Sequence, residues 1–293
     1  MADAPHSSGV AVPILSLQSW VAYGHVGNAA ALFPLQRLGA EVWAVNTVQF
    51  SNHTGYGAWT GRAATAAEIA DLVAGIAARG VLGTCDAVLS GYLGEAAVGE
   101  AVLDAVARVK AANPRALYCC DPVIGDDGKG VFVRPGVADF FAGRALKQAD
   151  IATPNRFELE YLTGTRIATL ADAKAATAAL QDCGPRTVLL TSLRTEATPA
   201  DAIDLLAAEG GAFHLLRTPL LPIAANGAGD LIAALFLLHR LRLGAAAPAL
   251  AAAASAVFAV LARTLAEGRT ELALVAAQDQ LSAPARRFDA VPC

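Results

Sequence analysis

Residues 87–121, AVLSGYLGEAAVGEAVLDAVARVKAANPRALYCCD, place a long helical pattern between two short apolar runs. The runs at 87–90 and 116–121 are nearly continuous in apolar character, which is typical of parallel strands that are buried on both faces. Between them, residues 95–112 have helical periodicity, and Asn113-Pro114 supplies a helix stop. The stretch therefore predicts a β-α-β unit with a right-handed crossover.

The same alternation extends in both directions along the chain. Further strands are predicted at residues 10–18, 41–46, 151–152 and 187–191. Further helices are predicted at residues 28–38, 65–79, 156–162, 172–182, 228–242 and 248–265. Thr65 and Glu68 have the spacing of a capping box. Two apolar runs, 202–207 and 213–217, lie on either side of Glu209-Gly210-Gly211 and predict an antiparallel hairpin on the sheet edge.

Together these elements predict an α/β fold with a doubly wound, mostly parallel sheet that has helices on both faces. The sequence contains no linker and no internal repeat. We therefore expect a single domain over residues 1–293, with residues 1–9 disordered.

The composition excludes several classes of protein. Of 293 residues, 55% are hydrophobic and 16% are charged, which excludes a disordered chain. The net charge is −4 and the chain has four lysines, so it lacks the basic surface that binding to nucleic acid needs. Its five cysteines have no CxxC spacing, and no positive charge precedes the first apolar run. We expect no zinc site, no disulfide framework, no export signal and a cytoplasmic location.

Residues 243–262 carry no charge over a length that could span a membrane. Most of this stretch is alanine, which contributes little transfer free energy, and Pro248 and Ser255 interrupt it. The composition favours a buried helix over a membrane span.

One candidate for chemistry is Asn226-Gly227-Ala228-Gly229-Asp230, which directly precedes a strong helical pattern. Glycines at a helix entrance leave backbone N–H groups accessible, and the helix dipole adds positive potential, so the stretch predicts an anion site. Asp230 falls in the first turn, where a carboxylate can also serve only to compensate the dipole. From this position we expect the Asp230 pKa to be lowered.

Two more carboxylates follow predicted strands. Asp121 ends the strand at 116–121, and Glu158 closes Asn155-Arg156-Phe157-Glu158 after the strand at 151–152. Ligands of open α/β folds bind at this edge of the sheet, and carboxylates on separate strand ends suit Mg²⁺. Asp121 precedes a proline, so a purely turn-forming role is the alternative. The glycine-rich stretch 125–130 reads as a flexible loop and does not fit a Walker A motif, and no GxGxxG follows the first strand.

Six stretches of the chain carry a family resemblance: residues 15–19, 23–28, 46–56, 89–94, 121–123 and 227–230. Together they resemble pyridoxal kinase of the ribokinase-like superfamily, in particular its bacterial pyridoxamine-kinase-like branch. The resemblance covers the chain from about residue 10 onward. Ser-Asn-His-Thr-Gly-Tyr at 51–56 is specific to vitamin B6 kinases, whereas Gly-Ala-Gly-Asp and Asn-x-x-Glu mark only the superfamily.

The resemblance implies a role for each matching residue. Asp230 would be the general base on the substrate hydroxyl, and Gly227, Ala228 and Gly229 would form the anion hole. Asp121 and Glu158 would act on the nucleotide phosphates and their magnesium, largely through water. The residues implied at the pyridoxal ring are Ser19, His53, Thr54, Gly55 and Tyr92, and those implied at ATP also include Thr153, Thr191, Arg217, Thr218, Pro219 and Leu220.

For two of these residues the local sequence permits a simpler interpretation. A serine after a strand, such as Ser19, is often a turn residue, and a tyrosine before Leu-Gly, such as Tyr92, often serves packing. The chain also departs from the family pattern. Thr191 stands where relatives usually have a lysine, and the segment 221–226 is shorter than in relatives. Arg194, three residues after Thr191, is either a substitute cation or, as its position favours, a solvated surface arginine.

The function implied by the resemblance is ATP-dependent phosphorylation of the 5′-hydroxymethyl group of pyridoxal, and also of pyridoxine or pyridoxamine, to give the 5′-phosphate. It further implies Mg²⁺, allows a monovalent cation such as K⁺, and suits a homodimer without nucleic acid or membrane partners. Two alternatives remain open. One is a kinase of another hydroxymethyl heterocycle, such as hydroxymethylpyrimidine, or of a sugar. The other is a non-catalytic carrier or sensor of pyridoxal phosphate.

Overall fold

The structure is a computed structural model that describes residues 11–293. The expectation for residues 1–9 lies outside this range. The strands are β1 (Val12–Val21), β2 (Ala40–Phe50), β3 (Gly61–Ala63), β4 (Ala87–Ser90), β5 (Leu117–Cys120), β6 (Gly125–Asp126), β7 (Gly130–Val131), β8 (Ile151–Ala152), β9 (Thr187–Leu193), β10 (Ala202–Glu209), β11 (Ala212–Pro219) and β12 (Val291–Pro292).

The helices connect these strands and cover the sheet. They are α1 (Asn28–Arg37), α2 (Ala66–Ala77), α3 (Ala96–Ala112), α4 (Val137–Phe140), α5 (Arg156–Thr163), α6 (Leu170–Cys183), α7 (Ala228–Leu243), α8 (Ala246–Ala266) and α9 (Gln278–Ser282). Short 3₁₀ turns occur at Thr54–Tyr56 and Leu82–Thr84, and irregular helical turns follow α4.

Ten strands form one sheet in the order β12-β11-β10-β9-β8-β5-β4-β1-β2-β3. The six strands from β9 to β2 are parallel, and β3 and the β10–β11–β12 group pair antiparallel at the two ends. The predicted doubly wound α/β class and the antiparallel hairpin are confirmed. The hairpin itself does not form the edge, because β12 pairs with its outer strand.

Alternating side chains of the strands point to two cores, one on each face of the sheet. Leu15 and Leu17 of β1 pack with α2, α3 and α6 on one face, and Ile14 packs with α1, α7 and α8 on the other. The near-continuous apolar strands that the sequence shows follow from burial on both faces.

Capping explains several helix boundaries. The predicted capping box at α2 is present, with the Glu68 N–H donating to Thr65 Oγ1 and the Thr65 N–H donating to the Glu68 carboxylate. An unpredicted box of Thr169 with Asp172 begins α6 earlier than expected. The stretch 125–130, expected as a flexible loop, is the antiparallel β6–β7 hairpin.

Helix α8 contains most of the apolar stretch 243–262. Within residues 11–293, it is the one helix whose length and composition would allow it to cross a bilayer. Half of its most apolar 18-residue segment is buried inside the fold. Its residues Ala249, Leu250, Ala253 and Ala256 are fully buried in the core with α7. The structure therefore uses this helix as a core helix.

Candidate active site

The predicted site residues gather at the carboxyl edge of the parallel strands. Strands β1 and β4 are neighbours in the sheet. The chain leaves β1 toward the β3 end of the sheet, whereas it leaves β4 and β5 toward the β12 end. Such a switch point opens a crevice where ligands of α/β folds bind. Ser19 lies near the end of β1 and Tyr92 follows β4, so both flank this crevice.

Asp121 and Glu158 form a buried acidic pair next to the crevice. Asp121 directly follows β5 and accepts a hydrogen bond of 2.9 Å from Thr153 Oγ1, and Thr153 follows β8. Burial, together with the negative charges of Glu158 and Asp230, raises the pKa of Asp121 well above its usual range. The electrostatic coupling places all three carboxylates in one neighbourhood.

Glu158 fixes the loop that follows Asp121. Its Oε1 accepts from the Ile124 N–H at 2.9 Å, and its Oε2 accepts from the Asn155 N–H at 2.9 Å in the capping box that begins α5. The Asn155 side chain donates to the Gly125 carbonyl at 2.9 Å, at the base of the β6–β7 hairpin. Burial raises the pKa of Glu158 to about 8, although backbone hydrogen bonds oppose the shift.

The acidic pair fits a divalent cation that brings its own ligands. Within residues 11–293, no group of three histidine, cysteine or acidic side chains is arranged to hold a metal ion. Two buried carboxylates with raised pKa values are nevertheless stabilised in their charged forms when a cation lies beside them. Mg²⁺ keeps several waters and takes phosphate oxygens, so Asp121 and Glu158 would suffice for it in the presence of a nucleotide.

The predicted anion site forms at the start of α7. Gly227 has φ +88° and is the N-cap of this 16-residue helix, whose first backbone N–H groups have no partner within the helix. A Cβ at Gly227 would lie 1.8 Å from the His25 carbonyl oxygen, so the loop before α1 packs directly on the glycine backbone. No other residue fits at this position.

Asp230 lies in the first turn of α7, close to the loop before α1. The Gly27 backbone N–H donates to its carboxylate. The expected lowering of its pKa is wrong: burial outweighs this hydrogen bond and raises the pKa of Asp230 to about 6. A carboxylate with this pKa is a much better proton acceptor near neutral pH than an exposed aspartate.

Ser19 is connected to Asp230 through Gly27. A Cβ at Gly27 would lie 2.3 Å from Ser19 Oγ, so the two residues are in direct contact, and Gly27 in turn donates to Asp230. The implied substrate-binding residue and the implied base therefore both lie next to Gly27.

The loop 51–60 carries the other residues implied at the pyridoxal ring. His53 caps the Thr54–Tyr56 turn by accepting the Gly55 N–H on Nδ1 at 3.1 Å, and Thr54 and Gly55 are exposed. Burial lowers the pKa of His53, and the charge of Lys129 at the tip of the β6–β7 hairpin lowers it further. The hairpin tip thus lies near this loop.

Tyr92 is half-buried across the crevice. Its ring packs with the small apolar cluster of Val21, Val26, Val48 and Phe50, and its carbonyl accepts from Thr47 Oγ1 at 2.6 Å. The packing role considered for this tyrosine is therefore present, beside a face that remains partly accessible.

A cavity of about 270 Å³ opens beside the anion site. Ala228 and Gly229 form one end of it, and apolar residues of β10, α7 and α8 form most of the wall. Of the residues implied at ATP, the lining includes Thr191, Thr218, Pro219 and Leu220. Its size, apolar wall and position next to helix N–H groups suit the base of a nucleotide.

Arg217 and Arg194 lie elsewhere. Arg217 neighbours Thr218 in β11, so its side chain points to the opposite face of the sheet, where it binds both carboxylate oxygens of buried Asp204 at 2.7 and 2.8 Å. Arg194 is exposed and donates to the Ala200 carbonyl. Neither arginine lines the 270 Å³ cavity, and the exposure of Arg194 agrees with the surface role that its sequence position favours.

Comparisons with known proteins identify the family of this chain. A family profile described as phosphomethylpyrimidine kinase matches residues 65–273. Pyridoxal kinase PdxY of Granulibacter bethesdensis is 60% identical over 284 residues, covering 96% of this chain and 99% of the relative, and that of Rubrobacter xylanophilus is 56% identical over 283 residues, covering 96% and 98%. The chain belongs to the pyridoxal kinase family.

A solved structure of another pyridoxal kinase has the same fold. The enzyme from Leishmania donovani, in complex with ADP and pyridoxamine, superposes with a TM-score of 0.88 at 29% identity, covering 96% of this chain and 99% of the other. The ribokinase-like fold expected from the sequence is thereby confirmed.

In this pyridoxal kinase, two residues near the site were missed by the sequence analysis. Glu271, which follows α8, is buried and bonds to both the loop before α1 and the loop 51–60. Gly27 lies within a quoted motif but received no role. Neither residue has a local signal: Glu271 lies in no motif, and the position of Gly27 between Ser19 and Asp230 exists only in the folded chain.

Proposed function

We propose that this chain is an ATP-dependent kinase that phosphorylates the 5′-hydroxyl of pyridoxal, and of pyridoxine or pyridoxamine, in vitamin B6 salvage. The observation that carries the proposal is the position of Asp230. It lies at the N-terminus of α7 with a pKa of about 6, beside the Asp121–Glu158 pair on one side and the Ser19–Gly27 contact on the other. The high identity to pyridoxal kinases supports the choice of substrate.

The reaction needs positioning more than covalent chemistry, since phosphoryl transfer passes through a loose transition state. Asp230 orients the 5′-hydroxyl and accepts its proton. The substrate oxygen forms a bond to the γ-phosphorus as the bond to the β–γ bridging oxygen of ATP breaks, which releases ADP. The N–H groups at Gly227–Gly229 and the dipole of α7 stabilise the charge on the transferring group.

Asp121 and Glu158 would hold Mg²⁺ through water, and Mg²⁺ would neutralise charge on the ATP phosphates. Thr153 keeps the Asp121 carboxylate in place, and Glu158 holds the loop at Ile124. Thr191 lies at the edge of the cavity and carries no charge. The negative charge of the phosphates would therefore be neutralised by the metal ion and by the dipole of α7.

The test is the formation of pyridoxal 5′-phosphate from purified protein, pyridoxal and ATP, with and without Mg²⁺. Product absorbance and ADP release should appear together and depend on Mg²⁺. Because the family profile is described as phosphomethylpyrimidine kinase, hydroxymethylpyrimidine belongs in the same substrate panel. Faster turnover of hydroxymethylpyrimidine, or tight binding of pyridoxal phosphate without turnover, would contradict the proposal.

We further propose a single-domain, cytoplasmic homodimer, with K⁺ near the anion site as an activator. One continuous ten-stranded sheet supports the single domain, and free cysteines throughout residues 11–293 support a reducing location. Partly exposed Leu32 and Phe33 on α1 offer apolar surface for a second copy. Sedimentation, and activity with K⁺ against an organic cation, test the dimer and the ion.

A further inference from the structure

Glu271 is a buried acid that connects two loops distant from it in the sequence. Its Oε1 accepts a hydrogen bond of 2.6 Å from Tyr56 Oη, and its Oε2 accepts one of 2.9 Å from the His25 N–H. The residue is 6% exposed. A buried carboxylate is costly unless it is hydrogen-bonded, so the two bonds offset the cost of burying Glu271 at this position.

The first loop depends on polar contacts for its shape. The turn Thr54–Tyr56 has no buried residue, and its backbone bonds run from Tyr56 N to His53 O at 3.1 Å and from Gly57 N to Thr54 O at 3.0 Å. Tyr56 is 47% exposed, so packing holds it weakly. The bond to Glu271 therefore attaches this turn to the body of the protein.

The second loop is fitted closely around the same carboxylate. Gly24 has φ +96°, and a Cβ there would lie 2.5 Å from Glu271 Oε2. The next residue, His25, places its carbonyl oxygen against Gly227 at the anion site. A displacement of the Glu271 carboxylate would thus shift the Thr54–Tyr56 turn, through Tyr56, and the backbone at the start of α7, through His25.

We infer that Glu271 is a positioning residue that couples the turn over the pyridoxal ring to the loop beside the anion site. The inference rests on the proposed function for its kinetic consequences. Tyr56 transmits the effect of Glu271 to Thr54 and Gly55, and His25 transmits it to Gly227. Substrate binding and the alignment of the phosphoryl acceptor therefore share one anchor.

The kinetic test compares Tyr56→Phe with Glu271→Ala. Tyr56→Phe removes one bond and keeps the ring, so KM for pyridoxal should rise about tenfold, the scale of one hydrogen bond to a charged group, with kcat and KM for ATP within about twofold. Glu271→Ala removes both acceptor oxygens, so it acts on both loops and should raise KM for pyridoxal and also lower kcat. In the double variant the KM effects should not add, because both substitutions remove the bond between Tyr56 and Glu271.

Tyr23→Phe is the matched control. The Tyr23 ring lies 6.2 Å from that of Tyr56 and is 61% exposed, and its hydroxyl makes no hydrogen bond to Glu271. This variant should behave as wild type. The inference would be overturned if the effects on KM for pyridoxal were additive in the double variant. It would also be overturned if Tyr56→Phe changed the KM values for pyridoxal and ATP equally, or left the kinetics as in wild type.

Amide hydrogen exchange tests the same coupling without turnover. Glu271→Ala should speed exchange in peptides spanning both 53–57 and 24–27, whereas Tyr56→Phe should speed it only in 53–57. Unchanged exchange in both variants would refute the coupling. An inactive wild-type enzyme would instead refute the proposed function, and the exchange data would still decide the role of Glu271.

Discussion

Asp230→Asn is expected to abolish most catalysis and at the same time to stabilise the protein. The variant keeps the shape of the side chain and an oxygen that can accept from the Gly27 N–H, but it cannot take the hydroxyl proton. Loss of a general base costs about 10²- to 10⁴-fold in turnover. Pyridoxal binding should persist, because the ring is held by other residues.

The stabilisation follows from the pKa shift. Burial raises the pKa of Asp230 from an ordinary 3.8 to about 6, so the folded state disfavours the charged form. Two pKa units correspond to about 3 kcal/mol, and partial exposure of the side chain reduces this to about 1–2 kcal/mol. The penalty is absent below pH 3.8, grows as the pH rises to 6, and is complete above 6.

The assays are product formation and thermal unfolding of the free enzyme between pH 4 and pH 8. Wild-type kcat/KM at saturating Mg²⁺ should fall about tenfold per pH unit below about pH 6, since only the deprotonated base is active. The Tm of Asp230→Asn should exceed that of wild type by about 2–4 °C at pH 8, and the difference should vanish near pH 4.

The control is Asp139→Asn, which changes an exposed aspartate in the first turn of α4. It should leave both turnover and the pH profile unchanged. Near-wild-type turnover of Asp230→Asn would remove Asp230 from the mechanism. If the Tm of Asp230→Asn were lower than that of wild type at pH 8, the Asp230 carboxylate would have to be stabilised by interactions stronger than the Gly27 hydrogen bond.

Three further substitutions test other parts of the site. Gly227→Ala should fold poorly or lose activity by at least about 100-fold, because its Cβ would lie 1.8 Å from the His25 carbonyl oxygen and its φ is +88°; wild-type kinetics would refute the close contact. Glu158→Gln should raise the Mg²⁺ concentration for half-maximal rate, and in wild type that concentration should fall as the pH rises through about 8, because metal and proton compete for the carboxylate; a flat profile would place the metal elsewhere. Ala254→Leu narrows the 270 Å³ cavity and should raise KM for ATP while leaving KM for pyridoxal unchanged. A rise in KM for pyridoxal with KM for ATP unchanged would mean that the cavity binds pyridoxal and not the nucleotide.

Local patterns predicted most of the fold. The helical period located α3, α5 and α7, and the Asn113-Pro114 stop located the end of α3, because these helices form from local spacing and capping. The two-residue strands β6 and β7 and the edge strands β3 and β12 were not predicted. They contain too few residues to show a period, and their partners lie far away or in a turn.

The site was predicted only as far as its motifs extend. The positions of Asp121, Asp230 and Gly227 follow from strand ends and a helix entrance, which the sequence displays. The face on which Arg217 lies was not apparent, because the register of β11 against β10 places it opposite Asp204 and directs it away from the cavity.

The sequence by itself determined the order of the longer strands and helices, the anion-binding helix entrance and the carboxylates at the strand ends, because each depends on neighbours a few residues away. Only the tertiary structure decided the rest. The pKa of Asp230 is raised, whereas its position in the first turn of a helix predicts a lowered pKa, because burial depends on the whole site. Glu271 meets Tyr56 across 215 residues of chain, and such a contact exists only once the sheet and its helices have brought the two loops together.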